Sequence, residues 1–322
     1  MSLERMKQNR FLVLGRAGLD LYADPPGTEI ENAIQFVAAL GGSAANIAAG
    51  IARLGGSAGL ITCVSDDAVG RYTRNQLRHY AIDTSHVHNV GGEPRNSLAV
   101  VETRHENCQS VIYRNNAADF ALTEAHVAQI DFSSCGALIV TGTSLAMQPS
   151  RAACLRAMRN ARLAGAPVVI DVDYRPYSWA SAELATATCL EAAGMSDVVI
   201  GNDTEFSVLA GGGDGLQLAN VLAQGSATIV VYKMGEHGAV TFSNGKQIKS
   251  GIFPVTALKP TGAGDAFMAG FVTGLAAGLD LPTSVKRGSA AAAIVVTRVG
   301  CAPAMPDEAE LKSFISKHAM NN

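Results

Sequence analysis

The chain has 322 residues, 48% hydrophobic and 16% charged, and 25 Lys+Arg against 28 Asp+Glu leave a net charge of −3. That length accommodates one large α/β domain or two modest ones with a full core, and the composition is not that of a disordered chain. A pI near 6.2 gives no electrostatic pull toward nucleic acid or an anionic membrane, and the longest unbroken apolar run, residues 290–296, is far short of the ~20 residues that span a bilayer.

In chain order, a polar N-terminal stretch without the apolar core of a secretory signal leads into a β-branched run at 11–15. Residues 20–36 break the rhythm that follows and read as antiparallel material. A helix is predicted over 43–54. A second break at 92–114 holds two strand-like runs, 97–102 and 110–114, separated by the polar segment 103–109. From there strands predicted at 137–142, 167–173, 197–202 and 228–234 alternate with helices at 149–164, 204–210, 215–224, 264–277 and 283–299. Apolar runs of this length between helices predict a doubly wound, mainly parallel sheet covered on both faces. The core is expected to comprise residues 10–19, 37–91 and 115–318, with 20–36 and 92–114 forming a small β lid.

The six cysteines are at least 19 positions apart, with no Cys-x-x-Cys pair. Several lie in apolar runs, as Cys63 does, so buried reduced thiols and a cytoplasmic location are expected. The sequence has no Gly-x-x-x-x-Gly-Lys-[Ser/Thr] loop, no Gly-x-Gly-x-x-Gly after the first strand and no Gly-x-Ser-x-Gly elbow.

What it does contain is Pro260-Thr-Gly-Ala-Gly-Asp-Ala-Phe267 at the start of an alanine- and glycine-rich helix. Glycines let backbone N–H groups approach an anion, and a helix N-terminus adds its dipole. Asp265 on the first turn is then placed to take a proton from a hydroxyl, or merely to complement the dipole. A second glycine-rich element, Leu40-Gly-Gly-Ser-Ala-Ala-Asn46, suits a tight loop that admits a ligand's hydroxyls, or close helix packing.

Together, residues 41–55 and 260–267 resemble the two signatures of the ribokinase-like (PfkB-type) sugar kinases, and the resemblance covers nearly the whole chain. It implies ATP-dependent phosphorylation of a sugar's primary hydroxyl, with Asp265 as general base and Gly262, Ala263 and Gly264 as the anion hole. Asn202-Asp-Thr-Glu205 resembles the family's Asn-x-x-Glu, which helps place Mg²⁺ and its waters, and also reads as a helix cap. Lys233, Gly235 and Gly238 match the strand and turn along ATP, a site that Asn202, Gly262 and Gly264 also line. Asp20, Gly42 and Asn46 match positions that face the sugar.

Tyr113-Arg114 and Tyr174-Arg175 stand at two places that line the sugar pocket in such kinases. Two arginines there point to a sugar acid, because a guanidinium pairs with a carboxylate, although each also reads as an internal salt-bridge residue. Tyr174-Arg175-Pro-Tyr-Ser-Trp179, with the segments at 113–119 and 258–265, resembles the sugar-acid branch of these kinases, and that resemblance implies 5-dehydro-2-deoxygluconate, of myo-inositol catabolism, as acceptor. The alternatives are 2-keto-3-deoxygluconate, fructose, or a sugar-acid sensor without turnover. The resemblance also departs in one place: Leu258-Lys259-Pro260-Thr261 replaces the Asp-Thr that helps bind a monovalent cation in many members, so potassium activation is not expected. Open strand edges on the lid predict a homodimer formed through it.

Overall fold

The computed structural model describes residues 3–320. Among them the strands are β1 (Arg10–Leu14), β2 (Gly18–Asp24), β3 (Gln35–Gly41), β4 (Ser57–Ser65), β5 (Val87–Val90), β6 (Leu98–Val101), β7 (Ser110–Tyr113), β8 (Ala137–Thr141), β9 (Val168–Asp171), β10 (Val198–Asn202), β11 (Ile229–Lys233), β12 (Ala239–Ser243) and β13 (Lys246–Ser250). The α-helices are α1 (Ser43–Arg53), α2 (Ala68–His79), α3 (Glu124–Ala128), α4 (Ser150–Leu163), α5 (Ala182–Gly194), α6 (Asp203–Leu209), α7 (Gly215–Gln224), α8 (Ala263–Ala276), α9 (Leu281–Val296) and α10 (Glu308–Lys317).

Nine strands form one sheet in the order β13-β12-β11-β10-β9-β8-β1-β4-β5. The pairs from β5 through β11 are parallel, and only the β11–β12–β13 tail is antiparallel. The doubly wound architecture expected from the alternating runs is therefore present, with two strands of antiparallel material added at one edge.

Strand residues point alternately to the two faces, and both faces are buried, which is why these runs are apolar throughout. Phe11, Val13, Ile139, Ile200 and Val231 pack with α1, α8 and α9 residues such as Ile47, Phe271 and Ile294. Leu14, Leu138, Val140, Ile170 and Val230 face Met158, Cys189, Phe206 and Leu222 from α4 to α7.

The chain leaves β1 toward β4 and β5 on one side, then returns to build β8 to β11 on the other. Such a reversal opens a crevice at the carboxyl ends of the strands on either side of it. The two early departures form a second sheet of four strands, β3-β2-β6-β7, over that crevice. Its antiparallel pairs β2–β3 and β6–β7 come from the two predicted stretches, joined by a parallel β2–β6 contact. The small sheet begins at Gly18 and ends its first excursion at Gly41, so it extends past both ends of 20–36. No described helix is long and apolar enough to cross a membrane.

Candidate active site

A cavity of about 1000 Å³ opens between the strand ends and the small sheet. Arg16 follows β1, Thr143 follows β8, Asp171 and Asp173 follow or end β9, and Asn202 and Lys233 end β10 and β11; all six line this cavity. The lid contributes Asp20, Tyr22 and Ile112, and α8 contributes its N-terminus.

Gly262 is the N-cap of α8 in the left-handed region at φ 86°, and a Cβ there would lie 2.9 Å from the Cys301 sulfur. Glycine is thus required for both the turn and the space. The turn leaves the first N–H groups of α8, those of Ala263, Gly264 and Asp265, facing the cavity as an anion site.

Asp265 occupies the third helical position, where Asn46 Nδ2 donates to its Oδ2 at 2.8 Å. Burial, reinforced by the Asp173 charge, pushes the Asp265 carboxyl up to about 7, against the pull of Asn46, Arg175 and Arg16. A carboxylate held near neutrality is matched to accepting a proton from an alcohol. Asn46 comes from α1, whose N-cap, Gly42, has φ 96° and would place a Cβ 2.3 Å from the Arg16 carbonyl oxygen.

Beside the start of α8 stand unpaired acceptors on Asn46, which bonds Asp265, and on Asp20, linked through the Tyr22 hydroxyl to Cys301. Tyr22 donates to Asp20 Oδ2 at 3.1 Å, but Asp20 Oδ1 and Asn46 Oδ1 are buried without a partner. Burial raises the Asp20 carboxyl above its ordinary value. Buried acceptors that the protein leaves unsatisfied call for donors from a ligand, and sugar hydroxyls supply them.

At the other end Lys233 Nζ lies 4.0 Å from Asp171 and close to where a Gly264 side chain would stand. Asn202 and Glu205 form a capping box: Asn202 Oδ1 accepts from Glu205 N at 2.8 Å, and Glu205 Oε2 accepts from Asn202 N at 2.7 Å. Burial raises both Asp171 and Glu205. This set offers hard oxygen donors and excess negative charge but, among the described residues, no cluster able to cage an ion. It fits Mg²⁺ held largely through water rather than by direct ligation. Gly235 and Gly238 line the same end.

The arginines differ from one another. Arg114 is buried, with one guanidinium nitrogen on Asp119, the other donating to the Thr143 carbonyl at 2.9 Å, and its plane 4.0 Å from the centre of the Phe120 ring. Arg175 pairs with Asp173 at 2.9 Å. Asp173 itself sits at φ 36° and also accepts from Ser43 and Thr143.

Tyr113 is displaced from the expected site. On β7 the side chains of Ser110 and Ile112, and of Arg114 just beyond, face the cavity, so strand alternation puts Tyr113 on the outer face, where it is 57% exposed. Sequence reasoning did not single out Arg16, Ser43, Thr143, Asp171 or Asp173 as site residues. Their signal is position, immediately at or beyond the carboxyl ends of core strands or at the start of α1.

Residues 8–308 match the model of the "pfkB family carbohydrate kinase". The chain belongs to that family. It is 42% identical over 310 residues to a 5-dehydro-2-deoxygluconokinase of Photobacterium profundum, with 94% of each chain covered. It is 36% identical to one of Geobacillus kaustophilus, covering 99% of this chain and 97% of that one. Among solved structures, a Vibrio cholerae fructokinase variant bound to fructose, ADP and potassium superposes with a TM-score of 0.84 at 27% identity, over 95% of this chain and 98% of that one. A putative ribokinase II from E. coli in complex with ATP and Mg²⁺ gives 0.86 at 20% identity, over 96% and 99%. The kinase class, the ribokinase-like fold and the family expected from the two glycine-rich signatures are borne out by these matches.

Proposed function

We propose that this carbohydrate kinase transfers the γ-phosphoryl group of ATP to the primary hydroxyl of 5-dehydro-2-deoxygluconate. The observation that carries the reading is Asp265 itself: a carboxylate raised to about 7, oriented by Asn46, on the first turn of a helix whose N–H groups face the same cavity. The relatives' shared name supports the acceptor, and the arginines lining the cavity support a sugar with an acid end.

In this reading Asp265 takes the proton of the primary hydroxyl as its oxygen forms a bond to the γ-phosphorus. The bond from that phosphorus to the β-γ bridging oxygen breaks, ADP leaves, and the proton passes from Asp265 to solvent. The α8 N–H groups and Lys233 stabilise charge on the transferring group, and the rate comes from positioning more than from covalent work by the protein. Asp20 and Asn46 orient the sugar through their open acceptor oxygens. Glu205 and Asn202 would hold Mg²⁺ through water, where the ion neutralises phosphate charge. The free thiols support a cytoplasmic enzyme. We also assign a homodimer, because apolar Phe36, Val37, Val111 and Tyr113 stand exposed on the lid's edge strands.

Coupled ADP release with Mg·ATP tests the reading on 5-dehydro-2-deoxygluconate, 2-keto-3-deoxygluconate, fructose, ribose and adenosine. A clear preference for the first is expected. A preference for a neutral sugar discards the acid acceptor while keeping the chemistry, and silence throughout favours a sensor.

A further inference from the structure

Three arginines line the cavity, and their side chains are committed to very different degrees. Arg114 spends both terminal nitrogens on Asp119 and Thr143. Arg175 has its charge matched by Asp173 and donates its other nitrogen to the Tyr174 carbonyl. Among the described residues Arg16 makes a single side-chain hydrogen bond, from Nη1 to the Ser97 hydroxyl at 3.2 Å, and has no acidic partner within ion-pair distance. A half-buried guanidinium in that state keeps most of its five donors for a ligand, while its charge is felt at longer range by Asp20 and Asp265.

Its backbone, in contrast, is fixed. The Arg16 carbonyl accepts from Ala45 N at 3.3 Å, in the first turn of α1, and lies against Gly42. The same helix carries Asn46, which orients Asp265. Arg16 is therefore mounted on the scaffold that holds the base, on the side of the cavity where the unpaired oxygens of Asp20 and Asn46 lie, away from Lys233 and the nucleotide end. A six-carbon acid that presents its primary hydroxyl to Asp265 carries its carboxylate at the opposite end of the molecule.

We infer that Arg16, at the junction between the core strand β1 and the lid strand β2, is the residue that binds the acceptor's carboxylate and so selects sugar acids over neutral sugars. Arg114 then supports the wall through Asp119, and Arg175 orders the loop after β9 through Asp173. This assignment rests on the sugar-acid reading proposed above. It assigns Arg16 to acceptor recognition, while the same positive charge also pulls against the raised pKa of Asp265.

The test is steady-state kinetics of Arg16→Gln and Arg16→Lys beside Arg175→Gln. Loss of a charge-assisted contact predicts a rise of about 10- to 100-fold in KM for 5-dehydro-2-deoxygluconate in Arg16→Gln, with KM for Mg·ATP moving less than about twofold. Arg16→Lys keeps the charge without the paired geometry and is expected about 3- to 10-fold above the wild type; it carries the test if the glutamine variant does not fold. An acid KM unmoved in either Arg16 variant overturns the assignment, as does a rise in the KM for ATP equal to that for the acid. A loss confined to Arg175→Gln moves the carboxylate to that residue and also overturns it. Wild-type enzyme that ignores the acid but phosphorylates fructose defeats the functional reading and this assignment together, whereas a competent wild type with an indifferent Arg16→Gln defeats this assignment alone.

Discussion

The base role proposed for Asp265 opposes its part in stability, and both have measurable consequences. Its carboxyl is shifted from an ordinary value of 3.8 to about 7, chiefly by burial. The folded protein thus binds that proton more tightly than the unfolded chain, so the contribution of Asp265 to stability falls as pH rises from 3.8 to 7. Asp265→Asn is expected to lose on the order of 10²–10⁴ in turnover at pH 8, while its Tm at that pH rises by ~1–3 °C. Turnover near that of the wild type would remove Asp265 from the mechanism. A matched fall in Tm would show instead that the carboxylate serves the fold. In the intact enzyme kcat/KM should climb about tenfold per pH unit up to neutrality and then level off. A flat profile from pH 5 to 8 would contradict a base with this pKa.

Lys259 belongs to the scale of the element, because it governs the loop that enters α8. It is fully buried, and its Nζ donates to the Thr261 carbonyl at 2.5 Å and to Val295 O at 3.5 Å. Burial lowers its pKa, while the two carbonyls accept from its amino group. If the turn binds an anion as proposed, a fixed positive charge beneath it takes the place of a mobile cation. Exchanging Na⁺ for K⁺ at constant ionic strength is therefore expected to change the rate by less than about twofold, and activation of several-fold would contradict this role for Lys259.

The same scale shows why some elements were legible. α7 falls on the predicted 215–224, and α1, α4, α6, α8 and α9 fall within about three residues of their predicted ends, because each has a continuous apolar face and a small or capping residue at its start. α2 is different: its buried side is Gly70, Thr73 and Leu77, a face too small and polar to show as an apolar stripe. β13, Lys246–Ser250, is an edge strand of largely exposed polar residues, identified by pairing with β12 rather than by its own pattern. At the site the glycine-rich signatures located Asp265, Asn46 and Gly262. The arginines required three-dimensional information, since only their observed partners, Asp119 and Thr143 for Arg114 and Ser97 for Arg16, distinguish a fully committed guanidinium from a largely uncommitted one.

On the scale of the whole molecule, the lid is a thin layer with little core of its own, built on Tyr22, Ala39, Ala99 and Val101. A four-stranded sheet with one face over the cavity and exposed apolar residues along both edge strands gains by covering those edges. Light scattering after size exclusion is expected to give twice the chain mass at micromolar concentration, and Val37→Glu, which adds a charge on β3, should shift the mass toward one chain. A clean monomer for the wild type would refute the lid dimer.

The two lid excursions are attached unequally. Between β6 and β7 the turn at Arg104–Gln109 is largely exposed. β3, in contrast, ends at Gly41 and α1 begins at Ser43, with Gly42 alone between them. One residue inserted there would turn the start of α1 by about 100° relative to the lid strand and carry Asn46 away from Asp265. The second excursion is thus the exchangeable part, where descendants of this fold can vary acceptor range by trading loop sequence. The first is locked in length to α1 and so to the Asn46–Asp265 contact, so diversification of the small sheet is expected to be lopsided, abundant over 103–109 and sparing at the junction of β3 with α1.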